Sequence, residues 1–239
     1  MSYQNVFKRY EMKYMLTRAQ RDLLLQVMEP YMALDKFGHS SIRNIYFDTE
    51  NYRLVRHSIE RPAYKEKLRV RSYGAATADG PVFVELKKKY QSVVYKRRVA
   101  MAEQQAVEWL CNRSPLPCQT QISQEIEYFL NYYQDLRPAV FLSYEREAFY
   151  CRDGGDFRMT FDENILCREE ALSLEAGVWG TSLLPADKVL LELKSPGGIP
   201  LWLAHFLARQ RIYKTSFSKY GTAYQTIILP NYEGGRLYA

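Results

Sequence analysis

Charged and apolar residues alternate one by one along several segments of this sequence, which narrows the folds that the chain can adopt. Lys67, Arg69 and Arg71, for example, alternate with Leu68 and Val70. Successive side chains of a β-strand point to opposite faces, so this period of two indicates strands with one charged face and one apolar face. The alternating strand–helix order of a doubly wound parallel sheet is absent. The pattern therefore predicts an antiparallel sheet in an α+β protein.

The same alternation recurs in six or seven segments and assigns eleven basic and four acidic residues to charged strand faces. A single charged face is most simply explained by exposure to water, as in many antiparallel sheets. Its recurrence favours a second explanation, in which the charged faces point inward. The residues on these faces are Arg9, Glu11, Lys13, Lys67, Arg69, Arg71, Glu85, Lys87, Lys96, Arg98, Arg146, Arg158, Asp162, Glu192 and Lys194.

Helical segments with apolar stripes supply the partner for the apolar strand faces. Thr17 and Gln20 have the spacing of a capping box at the start of the first helix. We expect the helices to cover the apolar faces, so that the charged faces line a closed antiparallel β-barrel of about eight strands, a tunnel formed by one domain over residues 1–239. The predicted helices are 18–33, 103–113, 121–134, 200–210 and 219–228, and the predicted strands are 6–14, 41–48, 64–73, 81–89, 92–101, 139–151, 156–162 and 188–194.

Charges inside a barrel are costly unless they are paired, hydrated or bound to a ligand. The excess of basic residues on these faces predicts a multiply charged anion as that ligand. Arginine can hold phosphate oxygens with two parallel hydrogen bonds and lysine acts as a point charge, so the mixed lining suits a chain of phosphates. The few carboxylates suit Mg²⁺ or Mn²⁺, hard ions that prefer oxygen ligands and bridge phosphates.

The net charge of +6 agrees with an anionic partner but leaves nucleic acid, phospholipid headgroups and phosphorylated small molecules open. The four cysteines have no CxxC spacing and the three histidines are scattered, so neither a disulfide framework nor a zinc site is expected. No apolar run approaches the length of a membrane helix, and the N-terminus lacks an apolar signal segment. We therefore expect a cytoplasmic protein.

Eight short segments, taken in order, resemble the triphosphate tunnel metalloenzymes of the CYTH superfamily and, within them, the vacuolar transporter chaperone (VTC) branch. The resemblance extends from Phe7 to about Tyr224. Each segment alone is weak, but the ordered set is fairly specific. The segments are RYEMKY at 9–14, LRVR at 68–71, FVELK at 83–87, YKRR at 95–98, YER at 144–146, RMTFD at 158–162, LELK at 191–194 and SFSKY at 216–220.

The resemblance implies a polyphosphate polymerase that binds the triphosphate of ATP in a tunnel and transfers its γ-phosphate to a growing polyphosphate chain, with Mn²⁺ or Mg²⁺. The positions that match the family's phosphate-binding residues are Lys13, Arg69, Arg71, Lys87, Lys96, Arg146, Arg158 and Lys219. Lys194, Arg98 and Lys67 are further candidates for contacts to the nucleotide. Glu192 matches the metal-binding carboxylate, and Glu11, Glu85 and Asp162 are added as metal ligands because of the strand face that they occupy.

Two departures from the family pattern bear on the reaction. The superfamily signature Glu-x-Glu-x-Lys has Arg9 in place of its first glutamate, which disfavours hydrolase or cyclase chemistry and agrees with the VTC branch. The VTC pattern Lys-Phe-Ser-Lys has Ser216 in place of its first lysine, and whether Lys214 replaces that lysine is left open.

Three alternatives accompany the polymerase. A tripolyphosphatase or nucleoside triphosphatase would use the same barrel with water as the acceptor, and a non-catalytic module would bind polyphosphate without turnover. Nucleic-acid binding would draw on the basic pI and the 20 tyrosines. Many of these tyrosines lie on apolar faces or in helices, which favours a core role. The expected partners are therefore ATP and polyphosphate and not nucleic acid, with no membrane segment in this chain; a membrane partner protein and the oligomeric state are left open.

Overall fold

The computed structural model describes residues 10–91, 93–116 and 118–232. Eight of its strands have eight or more residues, and β8 and β10 have two each. The strands are β1 (Tyr10–Thr17), β2 (Met32–Asp48), β3 (Tyr64–Tyr73), β4 (Pro81–Tyr90), β5 (Val93–Ala102), β6 (Arg137–Cys151), β7 (Arg158–Arg168), β8 (Thr181–Ser182), β9 (Lys188–Ser195) and β10 (Lys214–Thr215).

The helices are grouped between the strands and at the end of the described chain. The predicted capping box is present: the Thr17 hydroxyl accepts from the Gln20 backbone N–H at 3.1 Å, and the Gln20 side-chain carbonyl accepts from the Thr17 backbone N–H at 2.9 Å. The helices are α1 (Arg18–Met28), α2 (Arg53–Ile59), α3 (Glu103–Asn112), α4 (Gln121–Tyr133), α5 (Leu201–Arg209), α6 (Lys219–Ala223), a π-helical turn (Tyr224–Ile228) and α7 (Leu229–Asn231).

The strands follow the order β10-β1-β9-β7-β6-β2-β3-β4-β5, with β8 paired to β7. The pairs β1–β10, β1–β9, β2–β3, β3–β4, β4–β5, β7–β8 and β7–β9 are antiparallel. The prediction of an α+β protein with an antiparallel sheet is confirmed. Within the described residues no strand pairing joins β10 to β5, so the sheet is not closed by hydrogen bonds and the predicted closure of the barrel is not confirmed.

The chain divides into two compact units. Of the described residues, 10–41, 144–165 and 184–217 form the first unit, and the others form the second. The single domain predicted for residues 1–239 stays a prediction.

The first unit has its own apolar core between strands and helices. The apolar faces of β1, β7 and β9 contribute Leu16, Met159 and Leu193, and these side chains are fully buried with Leu24 of α1 and Leu203 of α5. Residues two apart on these strands enter the same core, as the alternation predicted. The helices therefore cover the apolar side of these strands. The charged residues, which alternate with the core residues along each strand, lie on the other side.

The second unit repeats this arrangement with different elements. Leu68 of β3 and Leu86 of β4 are fully buried in a core that also contains Trp109 of α3 and Leu130 of α4. The charged residues of β3 and β4 alternate with these leucines and so occupy the other face. Alternate residues of β3 and β4 thus lie on an apolar face and a charged face, as the sequence indicated.

Four predicted boundaries were wrong by three residues or more. β1 ends at Thr17 instead of 14 and β7 at Arg168 instead of 162, and the other two errors have a local cause. The first helix ends at Met28 instead of 33, since Pro30, two residues further on, has no backbone N–H with which to continue the helical hydrogen bonds. β2 then begins at Met32 rather than at 41, in a stretch whose polar residues gave no alternation to read. No helix of the described residues is long and apolar enough to span a bilayer.

Candidate functional site

A buried carboxylate on β4, Glu85, lies among four cationic side chains of the neighbouring strands. Its side chain is 1% exposed. Arg69 donates to Oε2 from Nε at 2.8 Å and from Nη2 at 2.7 Å. Lys96 Nζ lies 2.6 Å from Oε1, and Arg98 Nε donates to the same oxygen at 2.7 Å. Arg71 completes the group with Nε 3.9 Å from Oε2. We call these five residues the Glu85 cluster.

Strand register places the Glu85 cluster. Arg69 of β3 lies opposite Glu85, and Glu85 lies opposite Arg98 of β5, which gives one row across three strands. Arg71 is two residues beyond Arg69 on the same face. The predicted site residues of these strands are therefore brought together by pairing, with no loop involved.

The next row on this face consists of three lysines. Lys67 of β3 lies opposite Lys87 of β4, and Lys87 lies opposite Lys96 of β5. Like charges directly opposite one another destabilise a strand pair. Lys67 Nζ donates to Ser218 Oγ at 3.1 Å, just before α6. An anion that lies along this lysine row would therefore stabilise these strand pairs.

The pKa of Glu85 reflects the excess of cations. Burial alone would raise it, but the positive charges of Arg69, Arg71 and Lys96 outweigh burial and hold it far below the ordinary range of a carboxyl group. Glu85 therefore stays ionised at any physiological pH. One negative charge then balances only part of the four positive charges around it.

Lys96 is the titratable member of the cluster. Its side chain is 40% exposed, yet desolvation of the ammonium group lowers its pKa to about 7. Attraction by Glu85 opposes this decrease, and repulsion by Arg71 and Arg69 adds to it. Near neutral pH, Lys96 therefore exchanges between its charged and neutral forms.

Polar side chains of β2 accept hydrogen bonds from the two arginines of β3. Arg69 Nη1 donates to the Tyr46 hydroxyl at 2.9 Å, and Arg71 Nε donates to Asn44 Oδ1 at 2.9 Å. Asn44 in turn donates to the backbone carbonyl of Leu142 at 3.0 Å. Burial would raise the pKa of Tyr46, but the charges of Arg69 and its neighbours outweigh it and lower the pKa to about 8.

A second buried network fixes the segment that carries Lys219. Lys219 begins α6 and is 8% exposed. The next residue, Tyr220, donates its hydroxyl to Asp48 at 2.8 Å and stacks on Tyr46 with ring centroids 4.9 Å apart. Asp48 is fully buried and also accepts from the backbone N–H of Leu54 at 2.8 Å. One carboxylate thereby anchors both the start of α2 and α6.

The sequence prediction chose none of Asn44, Tyr46, Asp48 or Tyr220 as a site residue, because it searched for charged faces. A signal was present, since Asn44, Tyr46 and Asp48 occupy every second position of a predicted strand. Register confirms what that spacing indicates: Asn44 lies opposite Arg71, and Tyr46 lies opposite Arg69. Tyr220 has no such local signal, because its partner is 172 residues away.

The first unit contains a cluster with both signs of charge. Arg146 holds Asp162 with two parallel hydrogen bonds, from Nε to Oδ1 at 2.5 Å and from Nη2 to Oδ2 at 2.6 Å. Arg146 Nη2 also lies 3.1 Å from Glu192 Oε2. Lys13 Nζ lies 3.1 Å from the other oxygen of Glu192 and donates to the Phe217 carbonyl at 2.7 Å. We call these residues the Glu192 cluster.

Register also explains the Glu192 cluster and its neighbours. Glu192 of β9 lies between Lys13 of β1 and Thr160 of β7. The Thr160 hydroxyl is buried and has no hydrogen-bond partner among the described residues. The adjoining row on the same strands contains three predicted residues, namely Glu11, Lys194 and Arg158.

The strand register places Lys214, the candidate to replace the lysine missing at Ser216. Lys214 of β10 lies opposite Tyr14, whereas Thr215 lies opposite Lys13. Tyr14 packs in the apolar core of the first unit, so Lys214 is on the face that Lys13 and Glu192 do not occupy. This register does not support a replacement of the lysine missing at Ser216 by Lys214. Arg9, the other departure from the family pattern, lies outside the described residues.

The carboxylates suit a divalent ion that is held in part by water and substrate phosphates. Within the described residues, no three His, Cys, Asp or Glu side chains come together to enclose a metal. Mg²⁺ in phosphate-handling sites is held by one or two carboxylates, with water and substrate phosphates as its other ligands. Glu192 fits that role, because it lies opposite Thr160, whose buried hydroxyl has no hydrogen-bond partner among the described residues. Glu85, whose two oxygens each lie near two cations, fits it less well than Glu192.

Comparison with known proteins identifies a family. The model of the VTC domain family matches residues 8–228 of this chain. No curated protein matches the sequence.

Solved structures resemble the chain in fold. A proposed adenylate cyclase from Bacillus halodurans has a TM-score of 0.56 at 13% identity, over 99% of this chain and 100% of its own. HpAC1 from Hippeastrum, a proposed adenylyl cyclase with a dominant triphosphatase activity, has a TM-score of 0.53 at 16% identity, over 90% of this chain and 94% of its own. At such identities the likeness is one of fold.

Proposed function

The chain belongs to the VTC domain family, and on that basis we propose that it is a metal-dependent polyphosphate polymerase that uses ATP as its phosphate donor. The reaction transfers the γ-phosphoryl group of ATP to the end of a polyphosphate chain and releases ADP. Such an enzyme has to bind a linear polyanion and neutralise its charge during the transfer.

The observation that carries the proposal is the Glu85 cluster with its lysine row. Four cations surround one buried carboxylate, and three lysines lie opposite one another in the next row. At an effective dielectric of about 20, each close pair of opposite charges gains roughly 4 kcal/mol before desolvation. A chain of phosphates, with charges at regular spacing, matches a surface with cations in successive rows.

The metal role falls to Glu192, with Glu11 in the adjoining row as a second carboxylate. A bound Mn²⁺ or Mg²⁺ supplies positive charge that neutralises phosphate oxygens and orients the triphosphate. Lys13 contacts one oxygen of the Glu192 carboxylate, and Arg146 contacts the other. Asp162, held by Arg146 with two hydrogen bonds, orients the guanidinium group.

The chemical step needs positioning and charge more than a nucleophile of the protein. A terminal oxygen of the acceptor polyphosphate attacks the γ-phosphorus in line, and the bond to the β–γ bridging oxygen breaks, so that ADP leaves with that electron pair. The arginines and lysines of the strand faces stabilise the charge that spreads over the equatorial oxygens. No proton has to be transferred between the two phosphates.

The test is to incubate the protein with ATP and Mn²⁺, resolve the products on a gel and measure orthophosphate. Long polyphosphate is the expected product, and Arg69→Ala should abolish it while Arg137→Ala, a half-exposed arginine outside both clusters, should not. Orthophosphate without polymer overturns the polymerase in favour of a triphosphatase. Tight binding of polyphosphate without any turnover overturns it in favour of a non-catalytic binding module.

A further inference from the structure

The second unit contains a cavity of about 620 Å³ that neither charge cluster contributes to. It is formed by α2, the start of β3, the end of β4 and the last turns of α4. Its volume is within the range of about 300–1,000 Å³ that small-molecule sites occupy.

Three of the four strand residues that line the cavity, Tyr64, Glu66 and Lys88, are on the helix side of the sheet, whereas Lys65 shares the face of Lys67. Glu66 of β3 lies opposite Lys88 of β4, and both line the cavity. They alternate with Lys67 and Lys87 along their strands, so they point away from the face that carries the lysine row. A ligand in the cavity is therefore distinct from one bound to the Glu85 cluster.

Aromatic side chains form much of the cavity wall. α4 contributes Tyr128, Tyr132 and Tyr133, and β3 contributes Tyr64. Tyr128 and Tyr132 are 71% and 58% exposed. Exposed flat rings at a cavity offer stacking surfaces for a planar ligand.

The carboxylate of Glu66 at the cavity has hydrogen-bond partners, whereas nearby cations have no ion-pair partner among the described residues. Glu66 accepts from the hydroxyls of Tyr64 at 2.5 Å and Tyr133 at 2.9 Å, so its carboxylate is engaged. Arg53 lies over the Tyr133 ring at 5.4 Å, and within the described residues neither Arg53 nor Lys88 has an ion-pair partner. Arg56, Lys65 and Glu60 also line the cavity, so its four cations outnumber its two carboxylates, which favours an anionic ligand.

We propose that this cavity binds a mononucleotide, with its base stacked on Tyr132 or Tyr128 and its phosphate facing Arg53 and Lys88. Bases stack on aromatic side chains whatever their sequence, which suits the tyrosines of this wall. The bounded volume favours one nucleotide over a longer strand. The site goes beyond the proposed polymerase, whose substrate is gripped through its triphosphate.

The experiment measures AMP binding to the full chain by calorimetry, with excess tripolyphosphate present to occupy the charged strand faces. AMP has no phosphoanhydride bond, so the proposed polymerase cannot turn it over, and its binding succeeds or fails independently of that activity. Tyr132→Ala and Lys88→Gln should each weaken AMP at least tenfold. Tyr150→Ala, an exposed tyrosine of the first unit, and Arg137→Gln, an exposed arginine of the second, should leave it unchanged.

Ribose 5-phosphate and adenosine separate the two halves of the ligand, and each should bind more weakly than AMP. Equal binding of ribose 5-phosphate removes the base from the proposal, and equal binding of adenosine removes the phosphate; either result overturns it. So does AMP binding that Tyr132→Ala and Lys88→Gln leave unchanged while their melting temperatures match the wild type. An oligoadenylate that binds more tightly than AMP through the same residues would replace the mononucleotide by single-stranded nucleic acid.

Discussion

Tyr220 donates its hydroxyl to Asp48 at 2.8 Å, although the two residues are separated by 172 positions in the sequence. The same carboxylate accepts from the backbone N–H groups of Thr49, Leu54 and Val55. It therefore acts as a remote N-cap for α2, whose local cap residue, Tyr52, makes no side-chain hydrogen bond to the first turn of the helix. Through Tyr220, this cap also fixes the helix that begins with Lys219.

Asp48→Asn should lower the free energy of unfolding by about 1–3 kcal/mol, because an amide nitrogen cannot accept from Val55 and Tyr220 and leaves buried donors unsatisfied. Tyr220→Phe, which removes one donor only, should cost less. Urea denaturation measures both. Asp187→Asn, a change at an exposed residue of the first unit, is the control; equal stability of Asp48→Asn and this control would refute the shared cap.

Glu85→Gln should lower the stability by about 3–5 kcal/mol, since it leaves four clustered cations without their buried carboxylate. Added tripolyphosphate should recover more stability in this variant than in the wild type, because the anion then meets more uncompensated positive charge. Thermal melting with and without tripolyphosphate measures both effects.

The matched control for Glu85→Gln is Glu125→Gln. Glu125 pairs with Arg97 of β5 at 3.0 Å, but both side chains are partly exposed, at 26% and 30%. A pair of that kind contributes about 0–1 kcal/mol, so this variant should stay close to the wild type with or without tripolyphosphate. Equal losses in the two variants would mean that the Glu85 cluster has no special role.

Polyphosphate binding should take up a proton near pH 8. With a pKa of about 7, Lys96 is then mostly neutral in the unbound protein, and a polyanion beside it favours the ammonium form. Affinity should therefore fall as the pH rises above about 7. Without ligand the sign is reversed: between about 7 and the unperturbed lysine value of about 10.4, the unfolded chain binds more protons, so stability rises with pH.

Calorimetry of tripolyphosphate binding in two buffers of different ionisation enthalpy counts the protons. Lys96→Arg should abolish the uptake, because arginine stays charged, while Lys87→Arg should keep it. Tyr46, whose pKa is lowered to about 8, is a second group that titrates in this range, and Tyr46→Phe isolates its share. Full proton uptake in Lys96→Arg would contradict the assignment to Lys96.

Lys214→Ala should leave polymer synthesis within about twofold of the wild type, whereas Lys13→Ala should reduce it by 10²-fold or more, on the order expected for a lost charge at the transferred phosphate. The reason is the register of β10, which puts Lys214 on the face of Tyr14 and away from Glu192. Initial rates of polyphosphate formation from ATP compare the two variants. A large loss in Lys214→Ala would show that this lysine does take the place of the residue missing at Ser216.

The sequence predicted the strand faces well because the alternation of charge is itself a record of which side chains avoid the core. Arg69, Glu85 and Arg98 were assigned to one face from parity alone, and strand register brings them into contact. What parity cannot supply is the pairing partner of each strand. That the carboxylate of Glu85 collects its cations from β3 and β5 became visible only with the register.

Other features depended on contacts that no local pattern encodes. α2 was missed because its cap is Asp48, outside the first turn of the helix. The closed barrel was inferred from charge and helix count, which say nothing about hydrogen bonds between the first and last strands of the order. Asn44 and Tyr46 were overlooked because they are polar without being charged.

The row of lysines across β3, β4 and β5 has a consequence for how long the protein survives in a cell. Repulsion between aligned ammonium groups weakens the strands that carry them, and a polyanion along the row removes that weakness. Proteases that cleave transiently opened chains respond to the population of the open form. A supply of phosphate polymer would then lengthen the lifetime of the protein, so its abundance would follow that of the polymer even if its synthesis were constant.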